Sequence, residues 1–292
     1  MATLKQVRKR ISSVKSTMQI TKAMKMVAAA KLRRAQDNII AARPYADKMR
    51  EMVVNIATRA GEDVEHPLLK TREVKKTRVL AFTGDRGLCG AFNTNLIKTS
   101  VSALADLKAE GKEIAITAVG RKGNDFLRKR NYSVDKTYIN LGSENDLNVA
   151  IAMAKEVAEA YTKEEVDEVI LVYSEFHSAV VQRPKIQTLL PLATGVGKED
   201  EPNELQREYI FEPSAKKLLE DLLPKFVEIQ VYKAILDNLA SEFGARMTAM
   251  ENATSNAKDM IDALTLQYNR ARQEAITKEL MDIVGGAEAL VK

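Results

Sequence analysis

From Leu4 to Ile56, apolar or small side chains recur in steps of three and four: Leu4, Val7, Ile11, Val14, Met18, Thr21, Met24, Ala28, Leu32, Ala35, Ile39, Ala42, Ala46, Met49, Val53 and Ile56. That alternation is a heptad seam and predicts one long helix made to lie along another. Pro44 falls inside it, where it removes one intrahelical hydrogen bond and is expected to bend the rod locally. At about 1.5 Å per residue, roughly 55 residues make a helix of about 80 Å, longer than a compact domain needs.

The end of the chain repeats the pattern through Leu236, Leu239, Phe243, Met247, Met250, Thr254, Ala257, Ile261, Leu264, Tyr268, Ala271 and Ala275. The extra step of four from Phe243 to Met247 is a stutter that locally unwinds a supercoil. Pro213 suits a first helical turn, and the pair Gly285-Gly286 suits an end, so one helix is predicted over about 213–285.

Between these helices the texture changes. The runs TRVLAF (77–82), EIAITAV (113–119) and EVILVYSEF (168–176) are short, apolar and rich in β-formers. Helical stretches around 92–110, 120–130 and 145–162 separate them, the alternation that gives parallel strands in a three-layer α/β unit. VVQRPKIQTLLPL adds an edge or hairpin strand, and 195–208 reads as an exposed polar loop.

Two helices at opposite ends of a chain, joined through a compact unit, return alongside each other antiparallel. Alanines in both seams permit close approach of the axes. The C-terminal helix should overrun its partner by about 18 residues, roughly 27 Å. The fold expected is therefore α/β with a long antiparallel coiled coil. Residues 1–58 form the first coiled-coil helix, 59–76 a connector, 77–212 the α/β domain with mainly parallel strands, and 213–292 the second helix and its tip.

Charge sharpens this picture. The net charge is only +5, yet residues 1–36 hold ten Lys or Arg and no Asp or Glu. Such a local field points to an anionic partner, whether nucleic acid, lipid headgroups or an acidic protein surface. With one cysteine, Cys89, and two histidines, His66 and His177, far apart in sequence, neither an internal disulfide nor a zinc site is expected. No apolar run reaches the roughly 18–20 residues of a membrane span.

The loop TGDRGLCGAFN (83–93) follows the first strand and precedes a helix. Gly84, Gly87 and Gly90 would serve an anion nest, or simply a tight strand-to-helix turn with Asp85 and Arg86 pairing locally and Cys89 packed inside. The spacing is neither GxGxxG nor GxxxxGK[ST], which favours the turn. No pair of carboxylates is placed for acid/base work, so no catalytic site is expected. A nucleotide-binding enzyme would need the missing phosphate loop, and a nucleic-acid reader would need aromatic interleaving that the basic helix lacks.

ITKAMKMVAAAKLRRAQ near the start, TGDRGLCGAFN, and ASEFGARMTAMENATSNA leading to RQEAITKELMDIVGGA together resemble the gamma subunit of bacterial F-type ATP synthases, in order and over essentially the whole length. Gly84 stands where that family often has Ser or Thr. The resemblance implies a central rotor shaft that couples ion flow to ATP synthesis or hydrolysis and regulates both. Its coiled coil would enter a ring of three alpha and three beta subunits. Its Rossmann-like domain would remain outside, touching epsilon and the c-subunit ring at the cytoplasmic face of a bacterial cell membrane. It implies no catalytic residue and no cofactor or metal on this chain, Mg-ATP and ADP being bound by the partner subunits, and no nucleic acid.

Residue by residue, the resemblance places Met24, Lys25 and Arg246 against beta's acidic lever, which would answer the cations. Gln273, Thr277, Glu279 and Asp282 match an upper catch, the last being often Glu in the family. Ile283, Val284, Leu290 and Val291 would form an apolar tip in a collar. Tyr209 and Glu212, in REYIFEP, would lie at the foot near epsilon and the c ring. The dithiol switch of chloroplast relatives needs paired cysteines, so redox control of that kind is expected to be absent.

Overall fold

A computed structural model describes residues 4–60, 66–142, 146–192 and 214–290. The long helices are α1 (Leu4–Ala60) and α5 (Ala215–Leu290). Between them run β1 (Lys76–Phe82), α2 (Phe92–Ala109), β2 (Glu113–Val119), α3 (Arg121–Lys129), β3 (Lys136–Tyr138), α4 (Asp146–Thr162), β4 (Glu168–Phe176) and β5 (Gln182–Leu190). The chain divides into two compact units, residues 1–28 with 246–292, and residues 29–245.

In the first unit the helices are antiparallel. Arg8 meets Tyr268, Thr21 meets Thr254 and Lys25 meets Glu251, so partners rise along one helix as they fall along the other. The seam is thin because its residues are small: Ala28 and Ala257 are both buried. Thr21 and Thr254 face each other at 2.8 Å, hydroxyl to hydroxyl, which satisfies two polar groups inside an otherwise apolar stripe. Every α1 seam position named above, in either unit, is buried or half-buried.

The second unit holds a five-stranded sheet in the order β3-β2-β1-β4-β5. The first four strands are parallel, and β5 returns antiparallel to β4 as the hairpin edge. β1, β2 and β4 are buried at nearly every position rather than at every second one. That is the pattern of strands covered on both faces. Val79, Ile116 and Val172 pack with Leu104, Leu107 and Leu127 in one cluster, each such side chain contributing about 1.5–3 kcal/mol on burial.

The structure differs from the sequence reading at β3 and at the end of α5. β3, Lys-Thr-Tyr, is too short and too polar to show as an apolar run, and it exists by pairing with Thr117–Val119 of β2. α1 runs on through Pro44, as the seam predicts. α5 continues through Gly285 and Gly286 to Leu290, since glycine costs a helix only about 1 kcal/mol relative to alanine and does not forbid it. Pro213 and the loop 195–208 lie outside the described residues.

Candidate functional site

In open parallel sheets, ligands gather where the strand order reverses, outside the carboxyl ends of the strands. Here that point lies between β1 and β4, and α5 fills it. Asn238 Nδ2 donates to the carbonyl of Thr83, just past β1, at 3.4 Å, and its Oδ1 accepts from the backbone N–H of Ser174 on β4. One turn on, Ser241 Oγ donates to the carbonyl of Ser174 at 3.2 Å. Glu242 places its carboxylate against Gly84: a Cβ at that glycine would lie 2.7 Å from Glu242 Cδ.

Asn238, Ser241 and Glu242 carry a role that the heptad pattern did not reveal. From Ala234 to Gly244 every residue is buried, so this part of α5 is covered on all sides. Four of those eleven residues are polar, Asp237 included. Polar side chains in a helix ordinarily read as a solvent face. The available signal was their crowding into DNLASE directly before the stutter.

The glycine loop is closed on itself. Gly84 N–H donates to Asn93 Oδ1 at 2.8 Å, and Asn93 Nδ2 donates to the carbonyl of Arg86. Thr83 Oγ1 accepts from the N–H of Gly123, tying the loop to α3. Asp85 reaches beyond its neighbours, accepting from Arg121 N–H at the start of α3 and from Asn140 N–H. Cys89 is buried against Phe92 and Leu96. These contacts are those of a structural turn, with Asn93 and Glu242 taking the space an anion would need.

The basic helix presents its charge outward. Of its ten cations nine are exposed, and Lys25 is half-buried. Arg8 donates to Tyr268 Oη at 2.6 Å and stacks on the same ring. Lys31 lies over the Phe243 ring. Lys25 Nζ donates to Glu251 at 2.6 Å. That last pair is open to solvent and adds at most about 1 kcal/mol, so Lys25 is cheaply released to another acid. Met24 and Arg246 are half-buried beside the same seam.

Gln273, Thr277, Glu279 and Asp282 are all exposed on α5. Gln273 and Thr277 line one open groove with Arg270, Glu274, Lys278 and Met281. At 100° per residue, Glu279 lies roughly 120–160° round the helix from Gln273 and Thr277, and Asp282 roughly 140–180°, so the two pairs do not share a face. From Ile276 to Gly286 every residue is exposed, Ile283 by 68% and Val284 by 56%. Leu290 is the last residue of α5. Val291, Tyr209 and Glu212 lie outside the described residues. Among the described residues no cluster of metal-binding side chains occurs, and no helix is long and apolar enough to cross a membrane.

The ATP synthase family model matches residues 3–290. The chain is 51% identical to the ATP synthase gamma chain of Geobacter metallireducens over 290 residues, covering 99% of each. It is 47% identical to that of Pelotomaculum thermopropionicum, covering 99% of this chain and all of the relative. Among solved structures it resembles a chain of the central stalk and c-ring of the Tetrahymena thermophila mitochondrial ATP synthase, with 29% identity and a TM-score of 0.61, over 80% of this chain and 99% of that one. A chain of the Euglena gracilis mitochondrial ATP synthase shares the fold at 24% identity and a TM-score of 0.68, over 98% and 94%. The chain belongs to the gamma-chain family of ATP synthases.

Proposed function

We propose that this chain is the central rotor shaft of a membrane ATP synthase, turning inside a ring of three alpha and three beta subunits. The observation that carries the reading is the end of α5. Beyond Ala275, where the seam ends, Ile276, Leu280, Met281, Ile283 and Val284 stand exposed on a helix with no packed face. A row of large apolar side chains in water is unfavourable unless something surrounds it. A collar of partner subunits is a fitting cover, and apolar contacts without directional bonds permit slip during rotation.

The rest of the chain accords with this. Cations on α1 suit acidic levers on beta, with Met24, Lys25 and Arg246 as the contact group. Gln273 and Thr277 would engage one partner and Glu279 with Asp282 another, given their separate faces. Ile283, Val284, Leu290 and Val291 form the tip, and Tyr209 and Glu212 the foot against epsilon and the c ring. The plugging of the sheet's switch point by α5 supports a chain without a nucleotide site or cofactor of its own, Mg-ATP and ADP being held by the ring. The chain would sit peripherally on the cytoplasmic face of the cell membrane.

In this role the shaft works by shifting populations. Each beta conformation makes different contacts with the shaft, so rotation changes which one each subunit adopts. The drive is about 2.3 kcal/mol per charge crossing 100 mV, so several ions must be summed for each ATP, through a shaft stiff enough to carry the torque.

Native mass spectrometry of complexes purified through this chain from gently solubilised membranes tests the reading. One copy with three each of two larger nucleotide-binding subunits is expected. A homodimer, or the chain with bound nucleic acid and no ring, would remove the function.

A further inference from the structure

In the second unit, a cavity of about 230 Å³ lies between α1, the end of β4 and α5. Ile39 and Ala42, Phe176, and Ile229 with Leu236 give it apolar walls from all three elements. Asp237 lines it as well, only 6% exposed, and among the described residues no hydrogen bond reaches its carboxylate.

That lack is unusual within this protein. Asp146, comparably buried, accepts the Gly142 N–H, and Asp167 accepts two backbone N–H groups. A carboxylate removed from water without a donor is costly. The charges around Asp237 come from every neighbouring element. They are Arg43 and Asp47 on α1, Glu175 and His177 at the end of β4, Lys185 on β5, and Lys233 on its own helix. Glu175 is already paired with Lys185 and close to His177. Counting Lys185, three cations and three carboxylates surround the cavity, so their charges balance, and Asp237 is its buried acid.

We propose that this cavity binds a small organic cation, an amidinium or primary ammonium on a short apolar body, with its N–H groups donated to the Asp237 carboxylate. The buried Asp237 carboxylate, which lacks a donor among the described residues, sets the sign of the ligand, and the apolar side chains require a hydrocarbon or aryl body. The volume falls below the roughly 300–1,000 Å³ of pockets for drug-sized ligands, which keeps that body short. A planar amidinium offers two parallel N–H groups to a carboxylate, the geometry that strengthens such a pair. A metal ion fits poorly, with one unengaged buried carboxylate among hydrocarbon walls. The site is independent of the shaft reading, since it uses neither the tip nor the basic end of α1.

The test is calorimetric titration of the full-length chain with benzamidine at pH 7.5, with neutral benzamide as the control, and hydrogen exchange read by mass spectrometry with and without benzamidine. Saturable benzamidine binding is expected, at least tenfold tighter than benzamide, with added protection confined to 39–47 and 229–237. Asp237→Asn should weaken it tenfold or more by removing the charge. Ala42→Leu should do the same by filling the apolar wall while leaving the acid. Lack of saturable binding, equal binding of benzamide, protection elsewhere, or a folded variant of either kind that binds like the parent would each overturn the proposal. The benzamide and exchange arms need no variant, so failure of a variant to fold leaves the test intact.

Discussion

The carboxylate of Glu242 occupies the space in which a side chain at Gly84 would begin, Cδ standing 2.7 Å from the position of the missing Cβ. The glycine is therefore a consequence of how α5 crosses the sheet. A serine or threonine there, as the resembling family often has, requires the acid to move. Gly84→Ala is expected to destabilise the protein by about 1–2 kcal/mol through that overlap. In a Glu242→Ala background the same change should be neutral or favourable, because alanine restricts the unfolded chain by roughly 0.4–1 kcal/mol. Chemical denaturation of the four proteins measures the coupling, and additivity within about 0.3 kcal/mol would show that the two positions do not compete.

Gly120 sets the opposite limit. Its φ of +101° is a conformation that side chains resist, and an added Cβ would lie 2.3 Å from the backbone oxygen of Thr83. A carboxylate can swing aside, whereas the Thr83 carbonyl is backbone, held by Asn238 Nδ2 and by its residue's own N–H bond to the Val119 carbonyl. Gly120→Ala should therefore cost at least ~3 kcal/mol, with no second-site relief from shortening Glu242. A denaturation midpoint for Gly120→Ala equal to that of Gly84→Ala would mean the turn is looser than its geometry.

The contrast between these glycines shows what the sequence disclosed and what it withheld. The seam was legible down to Thr21 and Thr254, because a stripe repeating every three and four residues has one geometric solution. The strands β1, β2 and β4 were legible as apolar runs. The plug formed by Asn238 and Ser241 was not, since one helix face was already explained and a second buried face made of polar residues mimics a solvent face. Gly84 looked inconsequential because its partner lies 158 residues on. At the candidate site, Gln273 and Glu279 are close in sequence but turned to different sides, a separation that helical phase shows and motif matching conceals.

Asp237 makes a signed prediction about pH. Burial pushes its carboxyl up to about 6 from an ordinary 3.8, with Lys233 pulling against the shift and Glu175 adding to it. Above pH 6 both folded and unfolded states are ionised, and the folded state bears the full penalty. As pH falls from 6 towards 3.8 the folded state takes the proton first, so this group's contribution to stability rises, by up to ~3 kcal/mol in all. Asp237→Asn should thus be more stable than the parent at pH 7.5, and the gap should close near pH 4. Urea unfolding at both values checks this, and a gap that stays constant or widens as pH falls would exclude the mechanism.

The exposed end of α5 should behave unlike the seam it extends. Because every residue from Ile276 to Gly286 faces solvent, deleting the chain from 276 onward is expected to leave the melting temperature of the isolated chain within about 2 °C. Ala257→Leu, by contrast, puts extra volume where the two helices touch, and it should cost about 1–3 kcal/mol and lower that temperature. In the assembled enzyme the order should reverse: the deletion should reduce torque and ATP hydrolysis, while Ala257→Leu leaves the tip contacts in place and costs less activity. Both variants are measured by thermal circular dichroism of the chain and by hydrolysis in the reconstituted complex. A deletion that melts the isolated chain would place the tip within the fold, and one that leaves both measurements unchanged would mean that nothing grips it.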